Sequence, residues 1–291
     1  MDRVIKKFDV IVGNPPYNDS TTGNIPIYQN FVEFAKNNSK VVSMVIPAAC
    51  AISDERYGDT VRKLYFTKNT KIVRFLPDNV FNADVSTLYF VTDVNYLGMT
   101  LVESDSGKYE IDATTTNYLF KDKILLDILT KCDVTLSTSS WIKFDRREKD
   151  TEDNKSKVRT VTLINKLEFN VENTRAVDPT ILKHRVVTSF MTNSKNHLDV
   201  VWYVPPGIAV KKGYTASIVD TEREGTNLAK YLKSNICRFI YEATKTSRSL
   251  RTPQLKFIPK IDLTKKWTDK ALYKHFNLTQ EEIDYVEANV K

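Results

Sequence analysis

Phe8-Asp9-Val10-Ile11-Val12-Gly13-Asn14-Pro15-Pro16-Tyr17 is the stretch from which the rest of the chain can be read. Val10, Ile11 and Val12 are β-branched and favour a strand, and so continuous an apolar run is expected to be buried on both faces, as in a parallel sheet. Two consecutive prolines stop it. Each lacks an N–H and has φ held at about −65°, and Pro16 also drives Pro15 toward an extended conformation. The expected product is a rigid loop at the carboxyl end of a strand, where open α/β sheets bind their ligands.

That loop carries an amide side chain (Asn14), a carbonyl with no N–H of its own (Pro15) and an aromatic ring (Tyr17). The set suits a flat ligand with an exocyclic amine. Asn14 Oδ1 and the Pro15 carbonyl can accept both amine hydrogens, which localises the nitrogen lone pair and makes it a better nucleophile. The Tyr17 ring can stack on the plane, a contact worth roughly 1–3 kcal/mol per base. A plain strand followed by a proline-rich turn is the bland alternative.

Asn-Pro-Pro-Tyr after a strand opening Phe-Asp resembles motif IV of the amino-group DNA methyltransferases, most closely the adenine-N6 enzymes of the TaqI and Eco57I type. The resemblance implies that Asn14, Pro15, Pro16 and Tyr17 hold a flipped-out adenine while S-adenosylmethionine (SAM) donates its methyl group directly. Asn rather than Ser or Asp at the first position favours adenine over cytosine-N4. Protein-glutamine methyltransferases share the tetrad, but they are expected to end soon after the catalytic sheet, whereas more than half of this chain lies beyond it.

Downstream, Asn18 to Asn24 reads as a polar lip. Tyr28, Phe31, Val32, Phe34 and Ala35 follow helical spacing and end near Asn37-Asn38. Strands are expected at Val41 to Ile46 and Lys71 to Leu76, with a helix from Ser53 to about Phe66 between them. This β-α-β-α-β order predicts a parallel, partial Rossmann-like methyltransferase sheet and an α/β fold. Asn79 to Thr87, leading into a strand at Leu88 to Val94, is similar to motif VIII of the same family. The likeness implies that Phe81 covers the second face of the base, although by itself such a phenylalanine is more often a core residue. A hairpin turning at Asp105-Ser106-Gly107 and an amphipathic helix over Phe120 to Leu129 then close a domain at about residue 135.

The run Ser137-Thr138-Ser139-Ser140 marks a boundary, and the texture changes from Trp141. Asp145 to Arg159 is almost wholly charged or polar and is expected to be a solvated loop, in which Arg146 and Arg147 are candidate phosphate contacts. Short strands are expected at Val161 to Ile164, Leu167 to Val171, Arg185 to Met191 and Val200 to Val204, followed by a helix over Asn227 to Ala243. Together they suggest a mixed α+β DNA-recognition domain over residues 136–262. Thr244 to Pro253 is hydroxyl-rich and basic with no acid, so Lys245, Arg248 and Arg251 are the leading DNA-binding candidates. Leu255 to Lys260 resembles the Ile-Pro segment by which these methylases return from the reading domain. Residues 263–291 read as a helical tail, with capping-box spacing at Thr279 to Glu282.

Composition sets outer bounds. The 291 residues are 41% hydrophobic with a net charge of +7, which suits two folded domains and a polyanionic partner, here double-stranded DNA. Cys50, Cys132 and Cys237 and the three histidines are scattered, so no metal site and reduced, cytoplasmic thiols are expected. No apolar run approaches a membrane span. The 8 glycines stand at 13, 23, 58, 98, 107, 207, 213 and 225, so Gly-x-Gly occurs nowhere and the Gly-rich SAM-binding turn is missing. Two readings follow. One is an adenine-specific methylase of a restriction-modification system that takes its SAM-binding half from another polypeptide, docked along the first strand. The other is a non-catalytic DNA-binding or specificity protein derived from such a methylase.

Overall fold

The computed structural model describes residues 8–19, 25–52, 66–77, 80–81, 85–116, 118–135, 140–142, 144–146, 159–164, 166–170, 182–189, 198, 200–210, 214–244 and 252–290. The chain divides into two compact units, Met1–Thr130 and Lys131–Lys291.

The first unit is built on a six-stranded sheet. The decisive stretch forms β1 (Phe8–Gly13). A two-residue pairing of β2 (Asn18–Asp19) with β3 (Ile25–Pro26) leads to α1 (Tyr28–Asn38), β4 (Ser39–Pro47) and a short 3-10 turn at Ala48–Ala51. Then come β5 (Thr70–Phe75), β6 (Thr87–Asp93), β7 (Thr100–Ser104), β8 (Gly107–Ile111) and α2 (Lys123–Lys131). Helix α1 forms where the spacing predicts it, burying Tyr28, Val32 and Ala35 at positions i, i+4 and i+7 and packing on β4. The helix expected from Ser53 to Phe66 lies almost wholly outside the described residues.

The sheet runs β1-β4-β6-β5-β7-β8. β1 and β4 are parallel and β4 and β5 share a direction, as the β-α-β-α-β order predicts, yet β6 lies between β4 and β5 and antiparallel to both. The sheet is therefore mixed rather than parallel: β6 starts at the edge where β5 ends, so it must run back. Register fixes which face is core. Val42, Met44 and Ile46 pair with Thr92, Phe90 and Leu88, and these pair with Thr70, Val73 and Phe75. All nine are buried, and each apolar side chain among them contributes roughly 1.5–3 kcal/mol by leaving water. The β7–β8 hairpin turns as expected, with Gly107 at φ 141°, a conformation that favours glycine.

β1 departs from expectation. Phe8, Val10 and Val12 share one face and are 48%, 54% and 71% exposed. The run is apolar enough for a sheet interior, but β1 is the edge strand, so nothing described covers its outer side.

In the second unit β9 (Asp145–Arg146), β12 (His184–Ser189), β13 (Val201–Val204) and β15 (Tyr214–Val219) form a sheet in the order β13-β12-β15-β9, and β10 (Arg159–Ile164), β11 (Lys166–Asn170) and β14 (Ile208–Val210) form another in the order β11-β10-β14. Asp145 and Arg146 thus pair with β15 instead of lying in a loop. Helix α3 (Glu222–Leu232) opens with a capping box between Thr221 and Glu224 and packs on β13, β12 and β15. The single helix expected over Asn227 to Ala243 is two, because Lys233 and Ser234 break it before α4 (Asn235–Thr244). Ser234 Oγ accepts from Cys237 N–H, and the Asn235 N–H donates to Asp269 Oδ1 at 2.8 Å, so the new start has its own partners. Helices α5 (Asp269–His275) and α6 (Gln280–Asn289) pack on α4, and the expected Thr279–Glu282 capping box is formed.

Candidate active site

The corner that ends β1 sorts its four residues by exposure. Asn14 and Pro16 face solvent, Pro15 is buried, and Tyr17 is half-buried. Among the described residues no side-chain or backbone group hydrogen-bonds the Asn14 amide, so its oxygen is available to a ligand. The turn is held from behind: Ile27 N–H donates to the Tyr17 carbonyl at 3.1 Å, tying the corner to the entry of α1. The Tyr17 ring meets Tyr28 edge to face at 6.4 Å and 79°. Its hydroxyl is buried without a partner among the described residues, and burial raises its pKa above 10.0. Tyr17 therefore presents a ring, held by packing, rather than a phenol that titrates near neutrality.

Three more segments reach the same edge. Parallel β4 delivers Pro47 and the Ala48–Ala51 turn there, β5 ends there at Leu76, and β6 begins there at Thr87. Backbone bonds stitch this edge: Ala48 N–H to Ser86 O at 2.8 Å, Leu76 N–H to Thr87 O at 2.9 Å and Leu119 N–H to Ala51 O at 3.0 Å. Phe81, half-buried in the β5–β6 connection, thus belongs to the end of the sheet that carries Asn14 to Tyr17. In strand order β1 and β6 are separated only by β4, about 10 Å at the usual strand spacing.

The other candidates are placed less fully. Arg146 is fixed by its backbone in β9, opposite Thr215; Arg147, Lys245, Arg248 and Arg251 lie outside the described residues. Among the described residues no cluster of His, Cys, Asp and Glu could hold a metal, and no helix is long and apolar enough to cross a membrane. The three cysteines are buried and free, and burial pushes their thiols well up, Cys237 to about 12. Sequence reasoning missed a pocket at the opposite edge of the first sheet, lined by Lys36, Ser39, Lys40, Val42, Thr67, Asn69, Thr92 and Val94. Burial lowers the Lys36 ammonium there to about 8. No motif marks this pocket, because segments distant in sequence line it.

Gly13 is the glycine at the carboxyl edge, and a Cβ added to it would meet nothing nearer than Met44 Cε at 4.0 Å, so no group lies where only glycine lets it approach.

Residues 3–81 match the model of the Eco57I restriction-modification methylase family. A Mycoplasma pneumoniae protein described as an uncharacterized adenine-specific methylase is 33% identical over 157 residues, 44% of this chain and 37% of the relative. The chain therefore spans well under half of that relative's length. Among solved structures, the type IIL restriction-modification enzyme MmeI in complex with DNA aligns over 97% of this chain and 57% of its own, at 7% identity and a TM-score of 0.45. The type I restriction-modification methyltransferase subunit from Streptococcus thermophilus aligns over 38% of this chain and 30% of its own, at 20% identity and a TM-score of 0.29. The segment that matches the Eco57I restriction-modification methylase family contains β1, β4, β5 and the whole Asn-Pro-Pro-Tyr corner.

Proposed function

We propose that the chain is the base-holding part of a site-specific DNA methyltransferase that modifies adenine at N6 with SAM as donor. The observation that carries this reading is the exposed Asn14 amide, unbonded among the described residues, beside a half-buried Tyr17 on the sheet edge that also carries Phe81. In the proposed complex the adenine leaves the duplex at a cost of a few kcal/mol. Asn14 Oδ1 and the Pro15 carbonyl accept the two N6 hydrogens, and Tyr17 and Phe81 cover the faces of the ring. Pro15 and Pro16 fix the spacing of those acceptors because neither can rotate about φ. No general base is needed before transfer. Lys245, Arg248, Arg251, Arg146 and Arg147 are proposed to contact phosphates.

The donor is proposed to be bound by a SAM-binding half carried on another polypeptide. The test is transfer of labelled methyl groups from SAM to DNA by the reconstituted pair. Asn14→Ala is expected to abolish it with the fold intact, since Asn14 is exposed; unchanged activity would remove Asn14 from the site. The second reading is a non-catalytic DNA-binding or specificity protein derived from such a methylase. That reading predicts salt-sensitive DNA binding and no SAM binding even with a partner.

A further inference from the structure

The pocket at the sheet edge opposite the Asn-Pro-Pro-Tyr corner is built around a lysine. Along α1 the buried row Tyr28, Val32 repeats every four residues, and its next member is Lys36, in the last turn. The face that packs on β4 therefore ends on an amine, and Lys36 is half-buried. Val42 and Thr92, both buried, line the pocket with it, while Lys40 and Val94, both exposed, bring it to the surface. The walls are tied to each other. Ser39 Oγ donates to the Ala35 and Val41 carbonyls at 2.9 and 3.0 Å, Asn69 Nδ2 donates to the Val94 and Tyr96 carbonyls at 3.1 and 2.9 Å, and the Val94 N–H donates to the Lys40 carbonyl at 3.0 Å. The cavity they enclose is about 140 Å³, roughly ten times what a single water needs.

The two lysines of this pocket stand four residues apart and are held in opposite states. Asp9 Oδ1, at 2.9 Å, accepts from the Lys40 ammonium and raises its pKa, whereas burial lowers that of Lys36 to about 8. Lys40 is the other titratable side chain lining the pocket among the described residues.

We infer that Lys36 is an acylation site, whose amine takes a small acyl group of about acetyl size from an acyl phosphate with the phosphate lying beside Lys40. The neutral nitrogen attacks the acyl carbon, the bond from that carbon to the phosphate oxygen breaks, the phosphate leaves with the electron pair, and the proton lost by nitrogen passes to water. Nothing is oxidised or reduced. The product is a neutral amide, which a half-buried position accepts at lower cost than an ammonium. Lys40 keeps its charge and faces the anionic leaving group. At pH 7.5 an amine with a pKa of about 8 is unprotonated roughly 200 times as often as an ordinary lysine. Its lower basicity costs roughly tenfold in intrinsic nucleophilicity, on the scaling known for thiols, so a net advantage of roughly tenfold to twentyfold remains. The pocket lies away from Asn14, and the inference is independent of the methyltransferase reading.

The test incubates the full chain with acetyl phosphate from pH 6.5 to 9.5, in buffer and in urea, and follows each lysine by peptide mass spectrometry. Lys36 should be acetylated about tenfold faster than Lys40 at pH 7.5, at a rate that levels off above about pH 8, and the preference should vanish in urea. Lys40→Gln, a change at an exposed side chain, should slow acetylation of Lys36 by acetyl phosphate several-fold and leave its acetylation by an uncharged N-hydroxysuccinimide ester unchanged. Equal labelling of the two lysines, a Lys36 rate still climbing tenfold per pH unit at pH 9.5, or a preference that persists in urea would overturn the site. Acetylation by acetyl phosphate that is indifferent to Lys40→Gln would overturn the choice of donor.

Discussion

Tyr17 gives the sharpest test of how the corner works. Its ring is half-buried against Tyr28 at 6.4 Å, while its hydroxyl is buried and has no partner among the described residues. A buried hydroxyl without a hydrogen bond costs about 1–3 kcal/mol. Tyr17→Phe deletes the oxygen and keeps both the ring and its edge-to-face contact, so it is expected to stabilise the first unit by about 1 kcal/mol, roughly 3 °C in Tm for a unit of this size. Because burial raises the Tyr17 pKa above 10.0, the unfolded state ionises first as pH climbs past that value. The wild type therefore loses stability on the alkaline side, and Tyr17→Phe should lose less of it. Methyl transfer by the reconstituted enzyme should be unchanged within about twofold in Tyr17→Phe. It should fall by roughly 5- to 150-fold in Tyr17→Ala, the equivalent of losing a stacking contact of about 1–3 kcal/mol. Calorimetry from pH 7 to 11 and labelled-methyl kinetics on both variants check this. If Tyr17→Phe destabilised the protein by more than about 1 kcal/mol, or cut transfer tenfold with the fold intact, the hydroxyl would have a function and the ring-only account would be wrong.

Other outcomes are expected in the second unit. Burial pushes the Glu282 carboxyl up, but the Lys131 ammonium at 2.6 Å and the Thr279 N–H outweigh it and hold the pKa below 4.5. Glu282→Gln should therefore cost about 1–2 kcal/mol at pH 7, and urea titrations should show the difference closing as pH falls below 4.5 through the depressed folded value. Gly225→Ala puts a Cβ 2.5 Å from Tyr203 Cδ2 and 3.1 Å from Val219 Cγ2. Since Tyr203 is stacked on His184 and bonded to it, little can yield, and thermal melting should show a loss of about 1–3 kcal/mol. Cys50, Cys132 and Cys237 are buried with raised pKa values, so a thiol reagent at pH 8 should label none of them until denaturant is added.

What could be read directly in the chain was local. The β-branched run, the double proline, the apolar i, i+4, i+7 row of α1 and the Asp-Ser-Gly turn each contain within a few residues the steric or periodic cause of what they form. The Asn-Pro-Pro-Tyr corner was legible for the same reason, since its rigidity and its acceptors lie in four adjacent residues. The Thr221 capping box is equally local, but the apolar periodicity of α3 becomes evident only from Leu228.

Tertiary structure decided what depends on neighbours. An apolar strand at an edge has the same sequence as one in the interior, so β1 could not reveal its exposure. Nor could β6 reveal that it runs antiparallel between β4 and β5, because pairing depends on where β5 ends and the chain must return. The break at Lys233-Ser234 follows from Asp269, 34 positions beyond Asn235, accepting the new helix's first N–H. The sequence by itself determined a stiff proline corner at the end of an apolar strand; only the fold determined that among the described residues this strand lies at the edge of its sheet, because strand order is a property of the whole sheet and of no single strand.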